Sequence, residues 1–434
     1  MVLLSLLAII ILVPLAPTVM VLWIGLRLIG FFLPLTAYHT FDDKLFSWYQ
    51  RCVLLFYEPF VTKKIYFYGD HDFTKRKENV LFMCNHQSTV DWIICNMVIA
   101  RQGGIGRLRY ILLNAFKYIP LFGYYFYQHC FIFVNRDNFE AHKAVATMDY
   151  VTKNGLSCWV VAFPEVDRFN PKKLKVIEDS RAFAESKGLI PLQYHLTPRV
   201  RGMELLLKNM SSHLHAVYDM TVVYADENGS CLDKGKPMPG LLSYLMRSRT
   251  LHLHLQRCPI ADVPQDHDAL RTWLSSRFAL KDKLFADLEE IKKSKSRQPN
   301  VDEVKSAFLN NLSVSKVPNG FDELPRLRRR WLFTAFICLA TVTAFLLFCD
   351  WYHTVWDSLC LADCLARCYL PHQTQFLCAL IETGSLILKK TAKEFVMTSM
   401  SARMVVPFAK WEHFASTRKV LFRVLNVQTN VSPA

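Results

Sequence analysis

From Val2 to Leu26 the chain carries no charged side chain. A helix needs about 20 apolar residues to cross a bilayer core, so this run must lie in lipid or against a large apolar partner. No basic residue precedes the run, and it exceeds the apolar core of a cleaved signal peptide. A retained N-terminal membrane anchor over residues 1–35 is therefore expected, with Pro14 and Pro17 able to kink it. A second uncharged run, Trp331–Cys349, follows Arg326, Arg328, Arg329 and Arg330. Lys44, Arg51, Lys63 and Lys64 follow the first run. The positive-inside rule then puts the region between the runs in the cytosol. The basic residues after Cys349 leave two options open: Leu359–Leu388 returns across the membrane, or the C-terminal segments form a shallow hairpin.

Composition agrees. Apolar residues make up 52% of the chain and the net charge is +15. Such a basic excess suits an anionic lipid headgroup or a phosphorylated substrate. Nucleic acid is not expected as a partner, because the basic residues are scattered among apolar runs rather than gathered. Thirteen cysteines, with no CxxC pair, argue against a disulfide framework and for a reducing compartment. Cys360, Cys364 and Cys368 share one stripe of a helix, a spacing that suits packing better than metal binding.

Residues 36–292 alternate short apolar runs with helical patterns. Val80–Cys84, Phe131–Val134, Cys158–Phe163 and Met220–Tyr224 read as buried strands, and the alternating Leu251–Leu255 as a half-exposed one. Thr89–Arg101, Phe139–Lys153 and Asp268–Glu290 read as helices. Strands alternating with helices predict an α/β domain built on a central mixed sheet flanked by helices. Residues 293–330 read as a polar, basic linker, and 331–434 as membrane segments with a basic tail.

The sharpest local feature is Asn85-His86-Gln87-Ser88-Thr89-Val90-Asp91-Trp92. Ser88 and Asp91 have capping-box spacing, which predicts a helix starting at Ser88. His86 then lies in the loop ahead of the helix, and Asp91 in the first turn can fold back to it. On one continuous helix two residues five apart would diverge. A carboxylate on one imidazole nitrogen leaves the other free to take a proton, as an alcohol attacking a thioester requires. The alternative is that Asp91 only caps the helix.

The string Asn85–Asp91 matches the N-H-x-x-x-x-D signature of the glycerolipid acyltransferases. Further blocks follow in order: Tyr68-Gly69-Asp70 before the box, then Arg109-Tyr110, Lys117 and Pro120–Gly123. Gln128-His129, Phe131–Arg136, Phe163-Pro164-Glu165 and His195–Arg199 come next. Over roughly residues 10–290 the chain resembles the lysophosphatidate acyltransferases of animals, most of all their epsilon branch. The resemblance implies transfer of a fatty acyl group from acyl-CoA to lysophosphatidate at the endoplasmic reticulum, the mitochondrial outer membrane or the nuclear envelope. It implies His86 as general base and Asp91 as its orienting partner. Asn85 opens the box and counts among the substrate-binding positions. Arg136 and Arg168 would hold phosphate, Glu165 would position the acceptor or the arginines, and Pro198 would belong to the acyl-CoA side. The chemistry asks for no metal or redox cofactor.

Two blocks depart from the family pattern. F-P-E-G-T-R is replaced by Phe163-Pro164-Glu165-Val166-Asp167-Arg168, and Cys130-Phe131 stand where glycine is common. Glycine permits positive φ, which a β-branched valine resists. Asp167 would repel a phosphate unless a base offsets it. Three consequences stand open: the same acceptor bound in a shifted way, another lysophospholipid, or a weakly active or inactive scaffold.

Overall fold

The computed structural model describes residues 2–119, 122–135, 141–312 and 322–323. Two helices lead, α1 (Val2–Ile29) and α2 (Leu35–Tyr57), followed by β1 (Thr62–Gly69) and β2 (Val80–Cys84). Then come α3 (Asp91–Gln102), β3 (Leu108–Leu113), α4 (Phe122–Gln128), β4 (Ile132–Val134), α5 (Ala141–Lys153) and β5 (Trp159–Ala162). The second half holds α6 (Leu174–Ser186), α7 (Val200–Met210), β6 (Ala216–Ala225), α8 (Leu241–Leu245) and β7 (Arg249–Pro259). The described part ends with α9 (His267–Lys295), α10 (Val301–Asn311) and the short β8 (Asp322–Glu323).

The strands form one mixed sheet in the order β4-β3-β5-β2-β6-β7-β1-β8. The five strands from β4 to β6 are mutually parallel, β7 runs against β6, and β1 runs with β7. The expected α/β class with a central mixed sheet is what forms. Parallel strands need helices on both faces, and apolar side chains gather on either side. One cluster joins α2, α3 and α8 to one face through Phe46, Ile94, Val98 and Tyr244. The other joins α5, α7 and α9 to the opposite face through Met148, Leu206 and Phe278. Because β2, β3, β4 and β5 are parallel, their carboxyl ends share one edge of the sheet. The loops after them carry the motif blocks, the place where open α/β sheets build sites.

Several local expectations change. Leu251–Leu255 is not half-exposed: all five residues of this stretch of β7 are buried. His252 is bonded to Tyr68 Oη at 2.8 Å and to the Gly229 carbonyl at 3.0 Å, so its polar atoms are satisfied inside. The stretch expected as linker from residue 293 begins with the end of α9 and then holds α10. Asn300 and Glu303 cap α10 reciprocally. Val304, Ala307 and Phe308 pack it under the sheet, with Phe308 stacked on Tyr68 at 4.4 Å. Each such fully buried large side chain contributes about 1.5–3 kcal/mol.

Ser5–Ile29 is long and apolar enough to cross a membrane by length and composition, with mean hydropathy 2.6. One stripe of it, Leu15, Val19 and Trp23, is buried against α2 and the domain. The second apolar run, the expected tail and most of the linker beyond Leu312 lie outside the described residues.

Candidate active site

Strand β2 ends at Cys84, and the next residue turns its side chain back to the sheet. Asn85 Oδ1 accepts from Val222 N–H at 2.8 Å, and its Nδ2 donates to the Val222 carbonyl at 3.2 Å. This amide extends the β2–β6 pairing by one rung and fixes where the following loop starts. Asn85 is buried and its amide is committed to β6.

Helix α3 begins at Asp91, not at Ser88. The reason is the use made of the two capping residues. Ser88 Oγ donates to the Pro239 carbonyl and accepts from Val90 N–H at 3.1 Å. Asp91 bends back instead. Its Oδ2 accepts from Gln87 N–H at 2.6 Å, Ser88 N–H at 2.8 Å and His86 Nδ1 at 2.8 Å. Its Oδ1 accepts from Tyr224 Oη. Burial pushes the Tyr224 hydroxyl above its ordinary range, which keeps it a donor. The carboxylate is thus held at both oxygens, at the positive end of α3, where an anion is favoured.

With Nδ1 facing Asp91, the proton sits on Nδ1 and His86 Nε2 presents a lone pair. The ring is stacked on Phe163 at 4.3 Å. Its side chain remains 19% exposed, while Asp91 is 1% exposed. The His86–Asp91 contact anticipated from the spacing is therefore present.

The loop after β5 closes over this one. Glu165 Oε1 accepts from His86 N–H at 2.6 Å, and Oε2 from Leu196 N–H at 2.8 Å. Phe169 N–H returns to the His86 carbonyl at 2.9 Å, and Arg199 N–H to the Pro164 carbonyl at 2.8 Å. Glu165 thus ties three motif blocks together. It is wholly buried, and burial pushes its carboxyl up to about 8 despite the two amide bonds. Arg168 is half-buried and precedes Phe169, whose N–H is bonded to the His86 carbonyl. Pro198 is buried within the segment that Glu165 and Pro164 hold. Arg136 lies outside the described residues.

Val166 takes φ = +65° and Cys130 φ = +60°. Val166 stands where the resembled pattern has glycine, and Cys130 belongs to the Cys130-Phe131 pair that stands where glycine is common. The backbone conformation that glycine would supply is retained, at a cost of order 1–3 kcal/mol for a β-branched residue. Asp167 is offset: Arg199, whose own guanidinium is lowered by burial, feels its charge. Arg199 is also stacked on Phe183 at 3.4 Å.

Sequence reasoning missed Tyr224, His195 and Lys234. His195 lies inside, with Nδ1 on Asp282 Oδ1 at 3.2 Å and Nε2 against Gln87 Nε2 at 3.5 Å. Lys234 is buried with its ammonium 3.6 Å over the Phe285 ring, and burial pushes it down to about 7. His195 opens the His195–Arg199 block without being singled out there, no local motif marks Tyr224 or Lys234, and only the fold brings the three behind the box. Among the described residues one further group, Asp42, Asp43 and His129, has donor atoms close enough for a metal ion. The Arg109 guanidinium already lies there, 3.0 Å from Asp43 Oδ1 and 2.8 Å from His129 Nε2, and fills the position a cation would take.

A histidine–carboxylate pair thus stands at a helix N-terminus beneath the Phe163-Pro164-Glu165 loop. Comparisons with known proteins give the family. The family model "Acyltransferase" matches residues 64–200, and "Acyltransferase C-terminus" matches residues 240–313, which includes α10. Mouse 1-acyl-sn-glycerol-3-phosphate acyltransferase epsilon is 38% identical over 275 residues, 63% of this chain and 74% of its own length. An Arabidopsis thaliana protein, probable 1-acyl-sn-glycerol-3-phosphate acyltransferase 5, is 30% identical over 56% of this chain and 61% of its own. A solved structure of the Thermotoga maritima 1-acyl-sn-glycerophosphate acyltransferase aligns over 68% of this chain and 97% of its own, with 15% identity and a TM-score of 0.37. The chain belongs to the 1-acyl-sn-glycerol-3-phosphate acyltransferase family.

Proposed function

We propose that this protein transfers a fatty acyl group from acyl-CoA to the free hydroxyl of lysophosphatidate, giving phosphatidate and CoA. The observation that carries the reading is His86: Nδ1 engaged by a doubly held Asp91, Nε2 unengaged and solvent-accessible at the carboxyl edge of the sheet. Nε2 takes the hydroxyl proton as the oxygen attacks the thioester carbonyl. The tetrahedral adduct then expels the CoA thiolate, which recovers the proton from His86. Asp91 holds the ring and stabilises the imidazolium formed between these steps.

Arg168 stands beside the catalytic loop with a forked donor set suited to phosphate, and Arg136 is proposed as its partner on the acceptor. Glu165 acts by holding the loops of His86 and Leu196 in register, rather than by touching the acceptor. Pro198 is proposed to border the acyl-CoA side. The apolar α1 supports attachment to a membrane, here proposed to be the endoplasmic reticulum with the site facing the cytosol. The retained backbone at Val166 and the charge offset at Asp167 favour an active enzyme over a silent scaffold.

The test is transfer of oleoyl from its CoA thioester to a panel of lysophospholipids by the full chain in membranes. Transfer to lysophosphatidate supports the reading. Transfer only to another headgroup would move Val166 and Asp167 into the role of specificity determinants. Absence of transfer by folded protein would return the chain to the scaffold reading.

A further inference from the structure

The catalytic loop is bonded on its outer side to a short element that no motif block includes. Ser88 Oγ donates to the Pro239 carbonyl, and Thr89 Oγ1 accepts from Leu241 N–H at 3.0 Å. These two bonds attach the entry of α3 to the start of α8. Tyr244 and Leu245 of α8 are buried in the core, while Leu241, Leu242 and Met246 are 37%, 51% and 47% exposed. Inward and outward faces are thus cleanly divided.

The outward face does not stand alone. Helix α1 runs antiparallel to α2, since Leu15 and Val19 meet Cys52 and Trp48. The start of α1 therefore lies near the end of α2, and Tyr57 Oη there reaches the Leu241 carbonyl at 3.4 Å. Helix α8 neighbours both α1 and α2, and Leu6, Leu7, Ile9 and Ile10 of α1, Phe60 after α2, Leu241 and Leu242 of α8 and Met246 after it are all exposed. Exposed apolar side chains on neighbouring elements call for a partner. Their border is basic. Arg247 is exposed beside Met246, and Arg249, lowered first by burial, also feels the Arg247 charge. Lys63 and Lys64 follow Phe60 in sequence, with Glu227 balancing Lys63 at 3.2 Å. An apolar surface with a cationic rim fits the acyl layer and headgroups of an anionic leaflet.

We propose that α8 is a lipid-contacting element: Leu241, Leu242 and Met246 enter the leaflet beside α1, Arg247 and Arg249 meet anionic headgroups, and the contact seats the His86 loop, bonded to this element through Ser88 and Thr89, at the bilayer surface. The inference rests on membrane attachment through α1. It adds that a second element, bonded to the catalytic loop, reads the bilayer directly.

The test places a photo-crosslinking benzoylphenylalanine at Leu242 of the full chain, reconstituted in phosphatidylcholine vesicles with or without phosphatidylserine. Leu22 on the exposed side of α1 and Ile190 in the α6–α7 loop serve as references. Leu242 is expected to give phospholipid adducts at a level near Leu22 and well above Ile190, increasing with phosphatidylserine. Arg247→Glu should reduce that increase by roughly fivefold or more, the effect of one arginine near an anionic surface. Leu242→Glu should lower transfer to vesicle-borne acceptor by roughly tenfold, the worth of one leucine's burial, and leave transfer to a short-chain, water-soluble acceptor unchanged. Adducts to a second copy, to residues 324–434 or to no lipid at all would overturn the proposal. Transfer by the unsubstituted protein in the same vesicles reports separately on the acyltransferase reading.

Discussion

Three histidine–aspartate pairs lie among the described residues, and they are chemically different objects. His86–Asp91 and His195–Asp282 are separated by a single side chain, Gln87. His195 is wholly enclosed, both ring nitrogens are engaged, and burial pushes it down to about 4. In the third pair His129 Nδ1 meets Asp42 at 2.5 Å and Nε2 meets Arg109. Only His86, among these three, keeps Nε2 unengaged and accessible. A carboxylate beside a histidine is therefore not enough for a base; the role proposed for His86 also needs an unengaged, accessible second nitrogen.

The comparison breaks most readily at His86. His86→Ala should lower transfer by roughly 10^3-fold, within the usual range for a general base, with the fold kept by circular dichroism. Asp91→Asn should follow at about 10^2-fold, since an amide cannot accept from every donor that Asp91 now satisfies. Tyr224→Phe should cost roughly tenfold in kcat with little change in KM, because it frees one oxygen of Asp91 and touches no substrate.

His195→Gln should reverse the pattern. Activity per folded molecule should stay within about threefold, while stability falls by about 1–3 kcal/mol from polar groups left unpaired in the core. The pH dependence follows from the same burial. His195 and His252 are both pushed down to about 4. The native state then binds fewer protons than the unfolded chain between about 4 and 6.5. Stability is full above 6.5 and declines as pH falls toward 4, and His195→Gln should flatten part of that slope in chemical denaturation. The smallest effect is expected at Val166→Gly. Relief of a positive φ should add about 1 kcal/mol or less, net of glycine's extra chain entropy, with transfer retained.

What the sequence made legible divides along the same physical lines. Strand β2 was readable as Val80–Cys84 because an unbroken apolar run can only be buried. The dyad was readable because five-residue spacing works only with the histidine outside the helix. The glycine departure at Val166 pointed to a backbone that indeed takes positive φ, and Cys130 of the other departing block takes it too. Other features were hidden by tertiary context. His252 and His254 counted as polar positions in an alternating strand, yet Tyr68 and the Gly229 carbonyl bring His252 inside, and His254 is buried with it. Helix α10 left a signal that went unused: Asn300 and Glu303 at capping spacing, followed by Val304, Ala307 and Phe308 at helical spacing. The start of α3 was misplaced because Ser88 spends its hydroxyl on Pro239, 151 residues away. No local rule could supply that partner.

The most direct test of the account is a side-by-side assay of His86→Ala and His195→Gln in the full chain, reconstituted in the same vesicles with oleoyl-CoA and lysophosphatidate. The account predicts that the first variant is folded and loses transfer, and that the second is destabilised yet transfers at near the unsubstituted rate per folded molecule. Transfer that survives His86→Ala, or that vanishes in folded His195→Gln, would contradict it.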